Sequence, residues 1–310
     1  MSTPNPFSIS RVVNAPRALV FLLHTDPVHI ARWYGPAGNT VIKAELDLRP
    51  GGVHHYGLRA PDGSEMWGLQ TFREIVRNEK LVYLQSFSDQ ARGLARHPLA
   101  PTWPLQMLST VTFEDAPEGK TKITVSWLPY ESDEVGLATF EGARAGMSGG
   151  FNGMFDNLDR YLLESDTEIV HSRLLPAPRM LVWKALTDPA QVNLWWGPTG
   201  FKNVEVEQEV RVGGVWRFKM LGPDGTVYPN LIKYLELVPG ERLAFDHGDF
   251  DAVHFRGQIT LADEGDKTRI SLGLRFADRA GRDAVLKSGA VEGGQQTLSK
   301  LEAFLASRPG

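Results

Sequence analysis

The stretch LTDPAQVNLWWGPTG, residues 186–200, repeats the pattern of HTDPVHIARWYGPAG, residues 24–38. Thr, Asp, Pro, Trp, Gly, Pro and Gly occupy the same internal positions in both stretches. An Asp-Pro pair is typical of the start of a short helix, and a Gly-Pro pair is typical of its end. We therefore expect the first tryptophan of each stretch, Trp33 or Trp195, to anchor a short helix to the sheet.

The repetition extends far beyond this stretch. Residues 11–83 align with 173–245 without a gap, and roughly one position in three is identical, as in a duplicated sequence. Further along the chain TKITV, 121–125, aligns with TRISL, 268–272, so that the first copy carries 15 extra residues, which fall around 91–104. A repeat of this length indicates a duplicated domain rather than a solenoid unit.

The boundary between the copies is predicted within the polar segment LESDTEIVHS, residues 163–172. We place the first domain at residues 1–165 and the second at residues 166–310. With 310 residues, of which 42% are hydrophobic, the chain is long enough to bury two cores. The duplication also makes an intramolecular pairing of the two domains possible.

Each copy predicts the same order of elements. An alternating, β-branched strand opens it, Phe7 to Val13 or Thr167 to Leu175, and two short helices follow. Several strands come next, separated by Gly-Gly and Pro-Asp-Gly turns. Each copy ends in one long helix, within 137–164 or 281–307. The predicted fold class is α+β, in which each domain is an antiparallel sheet wrapped around its long C-terminal helix.

Both long helices show a periodic apolar face and contain a glycine pair. The pairs are Gly149-Gly150 and Gly293-Gly294, and each glycine weakens a helix by about 1 kcal/mol relative to alanine. We therefore expect a bend, or a close approach of the helix to the sheet, at each pair. The apolar faces comprise Phe140, Met147, Phe151, Phe155, Leu158 and Leu162 in the first helix and Ala284, Val291, Leu298, Leu301 and Leu305 in the second.

Composition argues against several functional classes. The formal net charge of −4 argues against a nucleic-acid partner. Cysteine is absent, which excludes disulfides, thiolate nucleophiles and cysteine-bound metals. There is no apolar run of about 18 residues and no N-terminal signal pattern, so we expect no membrane insertion and a cytoplasmic location.

The sequence also lacks the common catalytic motifs. It contains neither a Gly-rich phosphate loop nor a Gly-x-Ser-x-Gly nucleophile elbow. The one adjacent histidine pair, His54-His55, is predicted to lie on a strand, where neighbouring side chains point to opposite faces and bind one metal poorly. We predict no metal site and no cofactor.

Several motifs recur in order in both copies: Ala-Pro-Arg, Thr-Asp-Pro, Trp-(Trp/Tyr)-Gly-Pro-x-Gly, Arg-x-Gly-Gly and Pro-Asp-Gly. They resemble those of the heat-shock-protein ATPase activator C-terminal-like (AHSA-type) family in the SRPBCC superfamily. That superfamily shares the helix-grip fold with START lipid-transfer domains and birch-pollen-type allergens. The resemblance covers nearly the whole chain and implies two helix-grip domains. It leaves the function open, since the superfamily includes lipid carriers, polyketide cyclases and antibiotic-sequestering proteins.

A sheet wrapped around a helix leaves room for a ligand between them, so the inward positions are the candidate binding residues. In the strand GGVWRFKM, Trp216 and Phe218 share the inward parity with Met220, and the first copy places His54 and Tyr56 there. His254 and Arg256 have the outward parity on their strand. The full candidate set is His54, Tyr56, Gln70, Trp103, Trp127, Met147 and Phe151 in the first copy and Trp216, Phe218, Tyr228, Asn230 and His247 in the second. The repeated motif itself differs most informatively at Tyr34 against Trp196 and at Arg32 against Leu194.

The insertion around 91–104 is the other asymmetric feature. It carries Pro, Arg and aromatic residues and is too long for a tight hairpin. It is either a lid over the first domain, with Arg96, His97 and Trp103 as contacts, or an ordinary surface loop.

Three functions are compatible with these patterns. The first is a carrier or sequestering protein that binds a hydrophobic small molecule in one or both domains. The second is an enzyme of the polyketide cyclase or dehydratase kind, in which His54, supported by Tyr56, would act as acid and base. The third, implied by the resemblance, is a chaperone-ATPase cofactor. The inward aromatic residues are equally those of a packed core. We favour the binding function, in the first copy, because its polar inward residues and its insertion coincide.

Overall fold

The computed structural model describes residues 5–307. Its contacts divide the chain into two compact units, unit 1 up to Glu164 and unit 2 from Ser165 onward. This division lies one residue before the one expected from the sequence.

Unit 1 is an antiparallel sheet with a pair of short helices after its first strand and a pair of helices at its end. The strands follow the order β1-β8-β7-β5-β4-β3-β2, and the short β6 pairs with β5. The elements are β1 (Phe7–Val13), α1 (Arg17–Thr25), α2 (Pro27–Trp33), β2 (Thr40–Leu46), β3 (Val53–Arg59), β4 (Glu65–Val76), β5 (Lys80–Ser88), β6 (Leu94–Ala95), β7 (Gln106–Ala116), β8 (Lys120–Tyr130), α3 (Glu134–Gly142) and α4 (Arg144–Glu164).

Unit 2 repeats this arrangement without a counterpart of β6. Its strands follow the order β10-β11-β12-β13-β14-β15-β9. The two units therefore confirm the predicted α+β class and the helix-grip arrangement. The elements are β9 (Glu168–Leu175), α5 (Arg179–Thr187), α6 (Pro189–Trp195), β10 (Lys202–Gln208), β11 (Val215–Leu221), β12 (Val227–Val238), β13 (Arg242–Gly248), β14 (Val253–Glu264), β15 (Lys267–Arg275), α7 (Arg279–Lys287) and α8 (Ala290–Ala306).

The repeated Trp motif builds the scaffold in both units. Asp26 and Asp188 cap the second short helix, since their carboxylates accept hydrogen bonds from the backbone N–H two residues later at 3.0 and 2.9 Å. Trp33 and Trp195 are buried, and their indole N–H groups donate to carbonyl oxygens of the first short helix at 2.9 and 3.1 Å. Through this bond the tryptophan ties two consecutive helices together, whereas the sequence predicted an anchor to the sheet.

Each copy ends in a long helix as predicted, but that helix begins later than the expected segments 137–164 and 281–307, at Arg144 in α4 and at Ala290 in α8. In unit 1 the helical segment breaks at Ala143, between α3 and α4, and in unit 2 it breaks at Ser288 and Gly289, between α7 and α8. The break lets α3 pack on β8 while α4 packs on β1 and α2. The helical segment changes direction there to follow the curl of the sheet. The apolar periodicity of the sequence gives no sign of this change. Ala284 is consequently exposed on α7, whereas Arg282 is buried.

The glycine pairs do not mark these breaks, and they differ between the units. A Cβ at Gly294 would lie 2.3 Å from Nε2 of the buried His171, so α8 does approach the sheet closely there. A Cβ at Gly149 or Gly150 would meet nothing within 4 Å. The expected close approach is therefore present in unit 2 and absent at the pair in unit 1.

Replacing Gly294 by alanine should destabilise unit 2 by about 1–3 kcal/mol, because the His171 ring would have to move within a packed interior. Replacing Gly150 should instead stabilise unit 1 by up to about 1 kcal/mol through helix propensity. Urea unfolding of both full-length variants, followed by hydrogen exchange in each unit, measures these changes. Equal effects at the two positions would contradict the assigned contact.

Candidate functional site

The inner face of the unit 1 sheet carries a row of polar side chains. His54 on β3 pairs with Gln70 on β4, and Gln70 pairs with Gln85 on β5. Tyr56 lies two residues along β3, over Gly68, where a Cβ would lie 2.2 Å from Cζ of the tyrosine ring. Because Gly68 has no side chain, the Tyr56 ring can lie directly over it on the sheet.

These side chains form a continuous hydrogen-bond network with Tyr34, which follows α2. Gln70 Nε2 donates to the Tyr34 hydroxyl at 3.0 Å and to Gln85 Oε1 at 3.4 Å. Gln85 Nε2 donates to the Tyr56 hydroxyl at 3.2 Å, and the hydroxyls of Tyr56 and Tyr34 are hydrogen-bonded to each other. Nδ1 of His54 lies 2.9 Å from Gln70 Oε1. We call Tyr34, His54, Tyr56, Gln70 and Gln85 the polar network.

Burial keeps the polar network uncharged. His54 is 2% exposed, and burial lowers the pKa of its imidazole to about 4, although the hydrogen bond with Gln70 acts in the opposite direction. Burial likewise raises the pKa of the Tyr34 hydroxyl and raises that of Tyr56 well above its usual value. Nε2 of His54 is buried and has no hydrogen-bond partner among the described residues. An unpaired buried polar atom lowers stability by about 1–3 kcal/mol. A ligand that forms a hydrogen bond with this nitrogen would remove that cost.

Four of the five corresponding positions of unit 2 are apolar, and the fifth, in place of Gln85, is His247. Trp196, Trp216, Phe218 and Ile232 stand in place of Tyr34, His54, Tyr56 and Gln70, and the rings of Trp196, Trp216 and Phe218 pack at centroid distances of 5.6 and 4.5 Å. A cavity among these residues has a volume of about 10 Å³, available to the centre of a water-sized sphere. That space holds about one water molecule. The inner face of unit 2 is therefore a packed core at the predicted sites Trp216 and Phe218.

The other three sites predicted in unit 2 lie apart from this cavity. Asn230 is buried, and its amide donates to the Tyr228 carbonyl at 2.9 Å. Tyr228 is 46% exposed at the end of β12, which contradicts its assignment to the interior. It shares the inward parity, and its ring lies 5.9 Å from that of Phe201. His247 is half-buried and stacks on Phe255 at 4.5 Å, and burial lowers the pKa of its imidazole to about 4.

The remaining sites on the sheet and long helix of unit 1 form one aromatic group. Phe151 on α4 packs against Trp127 on β8 at 4.8 Å and against Phe7 at 5.8 Å. Trp127 is half-buried, and its buried Nε1 has no partner among residues 5–307. Met147 is half-buried at the start of α4. The sequence placed all three inward, and the structure sets Phe151 and Trp127 side by side.

The insertion folds its own aromatic residue inward. Trp103 is 8% exposed and packs against Phe140 of α3 at 5.9 Å and against His97 at 6.2 Å. His97 in turn contacts Phe87, an inward residue at the end of β5, at 4.6 Å. Arg96 donates to backbone carbonyls of the same loop. The loop thus joins the end of the sheet to α3, and Arg96 stabilises the conformation of the loop.

His54 and His55 lie on opposite faces of β3, as the strand parity predicts. His55 is fully buried on the outer face, where it stacks on Trp67 at 5.3 Å and its Nε2 lies 3.0 Å from the Asp89 carbonyl oxygen. His254 and Arg256 are exposed, also as their parity predicts. Within residues 5–307, no group of three or more His, Asp or Glu residues has the arrangement of a metal site.

Comparison with known proteins identifies the family. The sequence profile of AHSA1, described as activator of Hsp90 ATPase homolog 1-like protein, matches residues 14–163 and again residues 176–306. The chain belongs to this family. It is a tandem AHSA1 protein with one domain in each unit. No curated protein matches the chain, and no helix within residues 5–307 is long and apolar enough to span a membrane.

Several solved structures are similar to this AHSA1 protein over about half of the chain or over nearly all of it. A protein from Nitrosomonas europaea is 24% identical, with 46% of this chain and 96% of that chain covered and a TM-score of 0.43. A protein from Chromobacterium violaceum is 32% identical over 44% of this chain and 96% of that chain, with a TM-score of 0.40. The di-domain ARO/CYC BexL of a biosynthetic pathway is 16% identical over 98% of this chain and 100% of that chain, with a TM-score of 0.39.

Sequence reasoning found three of the five residues of the polar network as site residues. It singled out Tyr34 as a difference between the repeats without assigning it to the site, and it missed Gln85. The repeat does carry the missing signal, because Gln85 aligns with His247 and has the inward parity of β5. Transfer of the predicted site His247 to the aligned position of the first copy would have found Gln85, and the exchange of Tyr34 for Trp196 marks the other residue.

Proposed function

We propose that unit 1 binds an uncharged, largely apolar small molecule between the inner face of its sheet and α4, with the polar network contacting the polar part of the ligand. The observation that carries this proposal is the buried, unpartnered Nε2 of His54 within a network of which unit 2 replaces four of the five members by apolar side chains. A packed core alone would favour the apolar side chains of unit 2, because a buried polar atom such as Nε2 of His54 costs free energy when it has no hydrogen bond.

The chemistry of the network favours a neutral ligand. None of its five side chains is Asp, Glu, Lys or Arg, so a buried ionic ligand would have no counter-charge there. Aromatic residues adjoin the network on the same face, including Phe87 beside Tyr56 across Gly68. A few polar groups in an apolar surround are typical of sites that orient a small hydrophobic ligand.

Uptake of 1-naphthol by the full-length protein tests this proposal. We expect one molecule to bind per chain, measured by calorimetry and by quenching of tryptophan fluorescence. The double variant H54W/Q70I, which installs the unit 2 residues in unit 1, should abolish binding, whereas the control H247L in unit 2 should retain it. Absence of binding to the parent protein, or equal binding by the double variant, would overturn the proposal.

An acid–base enzyme is the second candidate, and it rests on the same free nitrogen. An imidazole with a pKa of about 4 is a weak base at neutral pH, which is why we favour binding over catalysis. If a cyclase or dehydratase activity is found, a His54→Ala variant with unchanged turnover would remove this residue from the mechanism. A chaperone-cofactor role remains a prediction, which a chaperone ATPase assay with and without the protein checks.

A further inference from the structure

The hydrogen-bond network fixes which of its atoms carry hydrogens. Tyr34, Gln70, Gln85 and Tyr56 form a closed ring of contacts, in which each tyrosine oxygen faces one glutamine and the other tyrosine. A glutamine amide can be placed in two orientations that differ only by exchange of its oxygen and nitrogen, so the hydrogen count must decide between them.

Only one arrangement of the two amides supplies a hydrogen to every contact of the ring. With Gln70 Nε2 and Gln85 Nε2 facing the tyrosine oxygens, the amides donate to both hydroxyls, and a tyrosine hydrogen is left for the contact between the two hydroxyls. If both amides were exchanged, both tyrosine hydrogens would point at glutamine oxygens and none would remain between the tyrosines. If one alone were exchanged, the Gln70–Gln85 contact would join two oxygens or two nitrogens.

This arrangement sets the tautomer of His54. Gln70 presents its oxygen, Oε1, to Nδ1 of His54 at 2.9 Å. Nδ1 must therefore carry the hydrogen and donate it, and in a neutral imidazole the other nitrogen is then a bare acceptor. That nitrogen is Nε2, which is buried and unpartnered among the described residues. The ring also leaves one of the two tyrosine hydrogens without an acceptor inside the network.

We infer that the ligand of unit 1 donates a hydrogen bond to Nε2 of His54, and that it belongs to the neutral phenols, alcohols or N–H compounds. This inference rests on the proposed binding function. A ketone, an ether or a carboxylate places a lone pair against the lone pair of Nε2, and it leaves that buried acceptor unpaired. The polar network therefore selects ligands by the direction of a hydrogen bond.

A matched series of probes tests the inference on the full-length protein. We expect 1-naphthol to bind about tenfold more tightly than 1-methoxynaphthalene or 1-naphthaldehyde, the ratio that corresponds to one hydrogen bond of about 1.4 kcal/mol. In the variant His54→Phe the three probes should bind within about twofold of one another, since the acceptor is gone while the apolar surround remains.

The outcomes separate the two proposals. Tight binding of 1-naphthol with equal binding of the ether or the aldehyde would overturn the inference and leave the binding function standing. No binding of any probe to the parent protein would overturn the binding function and the inference with it. A long-range ¹H–¹⁵N spectrum of the free protein gives an independent readout, because a hydrogen on Nε2 of His54 instead of Nδ1 would contradict the tautomer directly.

Discussion

Replacing Gly214 by alanine should lower the free energy of unfolding of unit 2 by about 3 kcal/mol or more. A Cβ at this position would lie 2.3 Å from the backbone oxygen of Glu209 and 3.0 Å from that of Arg211. The turn cannot open to make room, because the Gly214 N–H donates to Arg211 O at 2.9 Å and the Gly214 oxygen accepts from Tyr234 N–H at 3.0 Å. The clash is with backbone that is already hydrogen-bonded, so relief requires loss of the turn that leads into β11.

The neighbouring glycine of the same motif is the matched control. Gly213 has a φ of +76°, and a Cβ there would meet only the Arg211 guanidinium, at 4.0 Å. Gly213→Ala should therefore cost only the left-handed backbone strain, about 1 kcal/mol. Urea unfolding of full-length variants, read through hydrogen exchange in unit 2, compares the two. A Gly214→Ala protein no less stable than Gly213→Ala would contradict the assigned turn.

Lowering the pH from 7 to 5 should destabilise unit 1 by about 2 kcal/mol through His54 alone. The folded protein lowers the pKa of this imidazole from 6.5 to about 4 because it is buried. Below pH 6.5 His54 becomes protonated in the unfolded chain and stays neutral in the folded chain. Stability is therefore fully present above about pH 6.5, falls as the pH drops, and the loss is complete near pH 4. His24 packs against Trp33 and Phe113, and burial lowers the pKa of its imidazole to about 4 as well. It therefore adds to the loss of stability as the pH falls.

Variants without the titrating groups isolate this effect. His54→Phe and His24→Leu, the second of which installs the residue that unit 2 carries at Leu186, should each flatten the dependence of stability on pH. Leu58→Val removes buried volume without removing a titrating group, so it should lower stability and leave the slope unchanged. The measurement is the urea midpoint of unit 1 at pH 5 and pH 7. A slope that survives both histidine substitutions would refute the assignment.

Much of the backbone was predictable because its signals are local. Asp-Pro starts and Gly-Pro ends act within one turn of helix, so the short helices and their caps at Asp26 and Asp188 followed from the motif. Strand parity likewise placed His54, Tyr56 and Trp216 on the inner face. The C-terminal helices were harder, because the apolar periodicity runs through Ala143 without a stop signal. The change of direction there is imposed by the curl of a sheet made from distant residues.

By itself the sequence determined that this protein is a duplicated helix-grip scaffold, and it showed that the inward residues of the first copy are the more polar. The repeated motifs, the turn residues and the alternation of polar and apolar residues are local patterns, and each of them predicts the local backbone directly. Only the tertiary structure decided what the polar residues do. The ring that joins Tyr34, Gln70, Gln85 and Tyr56, and with it the acceptor nitrogen of His54, depends on strand register and on the approach of the segment after α2. Hydrogen-bond direction is a property of the closed set of partners, because each hydrogen can be used only once.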